Sequence, residues 1–117
     1  MDNGGNTGSK GSYVMEEIGM VYLKEHLSDT EIVVAVCDEE LLGKTLGGDG
    51  YEFYVDPVFY GGRRMSISEA LTVIESSTIA NLVGKKIVSA AVKHKLVHKD
   101  AIVYISGVPH AQIIKFT

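Results

Sequence analysis

From Gly19 onward the apolar positions follow two different periods. Residues 20–27 and 31–37 read as strands on either side of Ser28-Asp29-Thr30, a turn-forming trio, and the second run is rich in β-branched residues. This predicts a hairpin whose second strand is buried on both faces. Residues 38–42 predict one helical turn, with Asp38 as its cap and acids at its positive end. A short strand over residues 51–55 is expected after the Gly47-Gly48-Asp49-Gly50 loop. Beyond Pro57 and a Gly61-Gly62 turn the period changes to that of a helix. Ser66-Ile67-Ser68-Glu69 has the form of a capping box, and Ile67, Ala70, Leu71 and Ile74 share one helical face. Thr78 is expected to cap a second helix running to about Lys95, with Ile79, Val83, Ile87, Ala90 and Ala91 as its core face. Strands over residues 102–106 and 111–116, joined through Gly107-Val108-Pro109-His110, close the chain. Strands, then helices, then strands imply an α+β fold: a two-layer sandwich with an antiparallel or mixed sheet and two helices packed on one face.

The ends and the composition narrow the picture. Residues 1–13 are rich in Gly, Asn and Ser, with no aliphatic side chain after Met1, so nothing there offsets the entropy of ordering. A disordered tail over residues 1–18 and one domain over residues 19–117 are expected. A length of 117 residues suits a single core, and the longest apolar run, residues 32–37, is far short of a membrane span. No signal-peptide pattern opens the chain, and Cys37 is the only cysteine, so a cytoplasmic protein is expected. The net charge of −4 conceals an asymmetry. Residues 16–56 hold eleven acids against Lys24 and Lys44, whereas residues 57–117 hold eight bases against Glu69, Glu75 and Asp100. Such a polarity suits a basic face for an anionic partner, an acidic face for a basic one, or two halves that pair with each other.

Candidate chemistry is sparse. Gly43-Lys44-Thr45 looks like the end of a phosphate-binding loop, but Asp38 stands where that pattern needs its first glycine, and a carboxylate there repels phosphate. The Gly47-Gly48-Asp49-Gly50 run follows no clear strand and opens no helix, so it is not a dinucleotide fingerprint. Cys37, Asn81 and His110 are of the types that make a thiol nucleophile, an orienting amide and a base, although a cysteine ending a buried strand is ordinarily a small core residue. His26, His94, His98 and His110 lack the paired spacing of a metal site, and no metal or cofactor is expected. Lys85, Ser89 and Lys93 form a stripe at helical spacing with Lys86 beside it, and Lys95, His98 and Lys99 follow at the helix end. The helix dipole alone favours cations there. Arg63-Arg64, expected on a flexible loop, lies near Tyr54, Phe59 and Tyr60. Bases interleaved with aromatics are what backbone contact and base stacking require in RNA binding.

Four segments together resemble a known family: residues 35–44 (AVCDEELLGK), 59–62 (FYGG), 78–84 (TIANLVG) and 107–112 (GVPHAQ). They are similar, in order and over roughly residues 21–116, to the archaeal proteins grouped as domain of unknown function family 424. The resemblance implies an archaeal protein with a small α/β sandwich and supplies no activity. It also directs attention to Cys37, Asp38, Gly43, Lys44, Gly61, Gly62, Asn81, Gly84, His110 and Gln112. The leading expectation is a non-catalytic domain binding RNA or ribosome-associated factors of the translation machinery through Lys44, Arg63, Arg64, Lys85, Lys86, Lys93 and Gln112. The rival is a small enzyme or ligand-binding protein using Cys37, Asp38, Asn81 and His110. A third reading is a protein-interaction module that uses the acidic half.

Overall fold

The alternation along the first strands holds in three dimensions. Met20–Leu27 (β1) and Ile32–Asp38 (β2) form an antiparallel hairpin in the register Tyr22↔Cys37, and β2 is buried from Val34 to Asp38. The computed structural model describes residues 18–48 and 50–115, so the tail expected over residues 1–18 lies, apart from Ile18, outside the described residues. After a single 3-10 turn, Glu39–Leu41, the chain makes a separate two-stranded ribbon from Thr45–Gly48 (β3) and Tyr51–Tyr54 (β4). A one-turn helix, Pro57–Tyr60 (α1), follows, capped by Asp56 through its carboxylate and the Val58 N–H at 2.9 Å. Arg63–Ser66 (β5) then returns to pair with β1. The chain continues through Ile67–Glu75 (α2), Ile79–Val83 (β6), Lys85–Lys93 (α3), Val103–Ile105 (β7) and Val108–Ile114 (β8).

The main sheet has the order β5-β1-β2-β6-β8-β7, and β2–β6 is its parallel pair. The sheet is therefore mixed, with α2 and α3 packed on one face as the alternation of element types implied. Val21, Leu23, Val34, Val36, Ala80 and Leu82 point from the sheet into that helical layer, where Ile67, Ile74 and Ile87 meet them with no more than 2% exposure. The opposite face is covered over part of its width. There Ala35, Cys37 and Val83 lie beneath Val55 and Tyr60, with Leu41, Leu42, Phe53 and Phe59 packed around them.

Three local expectations are corrected. Residues 79–83 form the strand β6 rather than the first turns of a helix capped by Thr78. Ala80 and Leu82 face the helices while Asn81 and Val83 face the other way, so a period of two is the true one once β2 and β8 flank the segment. Thr78 instead holds the entry of β2: its hydroxyl accepts from the Ile32 N–H at 2.8 Å, and its own N–H donates to the Ile32 carbonyl. Arg63 and Arg64 lie in the edge strand β5, not on a loop. The last hairpin turns at Ser106-Gly107, both left-handed (φ 49° and 80°), as a two-residue type I′ turn requires. His110 consequently sits inside β8 rather than at a hairpin tip.

The capping box of α2 is present on both sides. The Glu69 N–H donates to the Ser66 hydroxyl and the Ser66 N–H to the Glu69 carboxylate, each at 3.1 Å. Ser66→Ala is expected to cost about 1 kcal/mol. The measurement is urea unfolding, with a lower midpoint and an unchanged slope.

Candidate functional site

Parallel pairing of β2 with β6 brings their carboxyl ends side by side, Cys37 opposite Val83. The next residues are Asp38 and Gly84, and α3 begins immediately after. Gly84 has no side chain with which to cap α3, and Asp38 takes that role from the neighbouring strand. One carboxylate oxygen accepts from the Lys86 N–H at 2.8 Å and the other from the Ile87 N–H at 3.0 Å. Asp38 is 1% exposed. A Cβ on Gly84 would stand 2.3 Å from the Asp38 Cγ, and the backbone there adopts φ +124°, so both space and conformation require glycine. Burial raises the Asp38 pKa, opposed by the two N–H donors and raised further by Glu40. The expected cap of residues 38–42 is thus redirected: the 3-10 turn at Glu39 receives no side-chain bond from Asp38.

The register then defines the opposite face. Arg64, Tyr22, Cys37, Val83, His110 and Val103 form one row crossing all six strands, and Lys24, Ala35, Asn81 and Gln112 form the next. The family-like segments do meet, around Cys37 and along these two rows. Their chemistry does not. Cys37 is fully buried, and burial, then the charge of Asp38, pushes its thiol up to about 12. His110 is two strands away, about 10 Å by the inter-strand spacing. Its ring meets Phe53 edge-on at 5.4 Å, and burial lowers its pKa. The Gln112 side chain donates to Asn81 across β6–β8 at 3.1 Å, while Asp38 lies on the other side of the sheet. Among the described residues, no three His, Cys, Asp or Glu side chains gather in a way that could hold a metal. No thiolate, base and orienting amide share a reacting position.

The bases separate into different surroundings. The Arg64 Nε donates to Glu39 at 2.5 Å, holding that carboxyl below its usual range, and Lys86 stands 3.8 Å from Glu40. Two members of the expected RNA-contacting set therefore pair with the acidic run that follows β2. Lys44 is exposed beside the β3–β4 ribbon, and Gln112 is exposed on the sheet face away from the helices. Arg63 lies on β5, five strand spacings, about 24 Å, from β7. Lys93 is exposed near the end of α3, and Lys85 is exposed at its start.

Lys85 belongs to a groove that runs between α3 and the β7–β8 hairpin. The chain builds it in short steps. Beyond α3, Lys95 adopts the left-handed conformation (φ 61°), its N–H donates to the Val92 carbonyl, and the Leu96 N–H donates to the Ala91 carbonyl at 2.8 Å. This is a Schellman ending, with lysine where glycine is usual. A 3-10 turn at Lys99–Ala101 follows, capped by His98, whose Nδ1 accepts from the Asp100 N–H at 3.0 Å. The result is two adjoining depressions of about 480 and 420 Å³ that share Val92 and Lys99. Lys95 and His98 border the first; Lys85, Ser89 and Tyr104 border the second. Neither is lined by an acid. Tyr104 was not legible as a site residue. Its only sequence signal is an aromatic in a very short run just before Ser-Gly.

Two outcomes follow from the buried groups. The raised pKa of Asp38 means that the folded chain holds this proton more readily than the unfolded one. Its contribution to stability is full below the ordinary carboxylate range and declines as pH rises through the raised value. Asp38→Asn removes that slope. Because an amide cannot accept both N–H groups, it also lowers stability at neutral pH by about 1–3 kcal/mol, read from denaturant unfolding across pH. The Cys37 thiol is expected to stay unreactive toward a disulfide reagent in the native protein and to react fully once denatured. Rapid modification of the folded chain would contradict the burial described here.

The comparisons with known proteins identify a family. Residues 26–116 match the family model described as "Protein of unknown function (DUF424)". The fold is similar to a crystal structure of an uncharacterized conserved protein from the archaeon Methanopyrus kandleri. That similarity has a TM-score of 0.65 and 29% identity, covering 85% of this chain and 96% of the other. No curated protein matches the chain. With its family-like segments assembled around the β2–β6 pair, the chain belongs to the family of unknown function numbered 424.

Proposed function

We propose that this protein is a non-catalytic RNA-binding domain, and that the groove between α3 and the β7–β8 hairpin is where it binds. The observation that carries this reading is the lining of the two depressions. In a chain of net charge −4, Lys85, Lys95 and Lys99 border two adjoining depressions whose lining includes no acid, the Asp100 carboxylate standing 3.5 Å from His98 at the edge of the first. Phosphates are attracted to such a concentration of cations whatever the overall charge, because screening limits each interaction to about 10 Å. The pairing of Arg64 with Glu39 and of Lys86 with Glu40 weakens the case for the other basic positions, since any anion there competes with a carboxylate already in place. The enzymatic alternative loses its nucleophile to burial and its acid to the capping of α3.

The reading predicts salt-dependent RNA affinity, measured by fluorescence anisotropy at several ionic strengths. Lys85→Glu combined with Lys99→Glu is expected to weaken binding about tenfold or more and to flatten the dependence on salt. Arg63→Glu, on the far edge of the sheet, is expected to leave both unchanged. Absence of salt-dependent binding by the wild-type protein would overturn the proposal.

A further inference from the structure

Resting on the RNA-binding reading, we infer that the groove accepts an unpaired stretch of RNA, with Tyr104 as the platform on which one base stacks. Tyr104 lies on the three-residue edge strand β7 and is 64% exposed, although its register partner Pro109 is buried. The ring borders the same depression as the apolar side chains Val88, Val92 and Ile102. Lys85 and Lys99 border that depression as well, and Ser89 lines it from α3. Gly107, at the hairpin turn, leaves the rim open: a Cβ there would meet nothing within 4 Å.

This combination selects among forms of RNA. An exposed aromatic ring beside an apolar strip offers a surface to the face of a base, and cations close by offer contacts to the flanking phosphates. In a duplex every base face is already stacked, and only phosphates, sugars and groove edges are presented. A duplex would use the lysines and leave Tyr104 and the apolar strip idle. At about 420 Å³ the depression lies within the size range of ligand clefts, roughly 300–1,000 Å³, and is concave where a helical duplex is convex. The second depression continues the path past Lys99 toward Lys95. Along α3 from Lys85 to Lys93 the helical rise gives roughly 12 Å, enough for a short run of nucleotides rather than one.

The test compares labelled single-stranded RNA with the same sequence annealed into a duplex, using wild type, Tyr104→Ala, Tyr104→Phe and Tyr51→Ala. Tyr51 is 69% exposed on the β3–β4 ribbon, away from the groove, and serves as the control aromatic. Single-stranded RNA is expected to bind more tightly than duplex. Tyr104→Ala should weaken the single-strand complex about fivefold or more, with the salt slope unchanged, because stacking and phosphate contact are separate contributions. Tyr104→Phe, which keeps the ring, should lose much less, and Tyr51→Ala should lose nothing. Equal or tighter binding of duplex, or indifference of the single-strand complex to Tyr104→Ala, overturns the inference while the RNA-binding reading stands. If the wild-type protein binds neither form, the underlying reading fails and takes this inference with it.

Discussion

The contact between Asp38 and the first N–H groups of α3 is the constraint around which the rest of the molecule is arranged. A helix that starts inside a protein leaves backbone donors that water cannot reach, and an unpaired donor there costs on the order of 1–3 kcal/mol. Most helices solve this with a side chain just before their first turn. Here that position is Gly84, and the carboxylate comes from Asp38, 48 residues before the Lys86 whose N–H it accepts. The substitution of a distant cap for a local one has a geometric effect. It ties α3 to the end of β2 as well as to the end of β6, so the position of the helix over the sheet is set by two strands. The groove beside α3 inherits that placement, because Lys85 is the residue directly after Gly84. The same contact occupies the positive end of the helix with a built-in anion, and any external anion must therefore be held by side chains.

The charge distribution along the chain becomes intelligible on these terms. Glu39 and Glu40 leave β2 just after Asp38 and meet Arg64 and Lys86, which come from the basic half. Of the three uses that the asymmetry suggested, pairing between halves is realised at this junction. It leaves Lys85, Lys95 and Lys99 toward the opposite edge of the sheet, where the two depressions they border are lined by no acid. Net charge is a poor guide to such a surface because local fields are decided within a screening length.

Much of the fold was legible because its signals are local. The β1–β2 hairpin follows from alternation and a three-residue turn, and the start of α2 follows from the capping box at Ser66. The segment from Ile79 to Lys95 was harder. Ile79, Val83, Ile87 and Ala91 recur at four-residue intervals and satisfy a helical face across a strand and a helix alike. Only Gly84 interrupts them, and a single glycine does not announce φ +124°. The site was less legible than the fold. The segments that hold Cys37, Asn81, His110 and Gln112 meet along neighbouring rows of the sheet, but these side chains share no reacting position, and a linear reading does not show that alternation turns Asp38 to the other face. Tyr104 carried little signal because the role proposed for it rests on exposure beside Val92 and Ile102, which is a property of the folded edge.

The parallel pair at the centre of the sheet also governs how the molecule must assemble. Ile32 and Thr78, which bond at the mouth of this pair, are 46 residues apart in the chain. Between them lie the β3–β4 ribbon, α1, β5 and α2; the ribbon and the helices form on short loops, whereas β5 pairs with β1 across nearly the same distance in the chain. The entropy of closing the long loop falls on the step that joins β2 to β6, and it must be met before Asp38 can reach α3. The β2–β6 and β1–β5 pairings are therefore the long-range closures of the sheet. Topology of this kind slows folding relative to a chain of neighbouring hairpins. The Asp38 carboxylate bonds across the same long loop, so its cap on α3 depends on that closure.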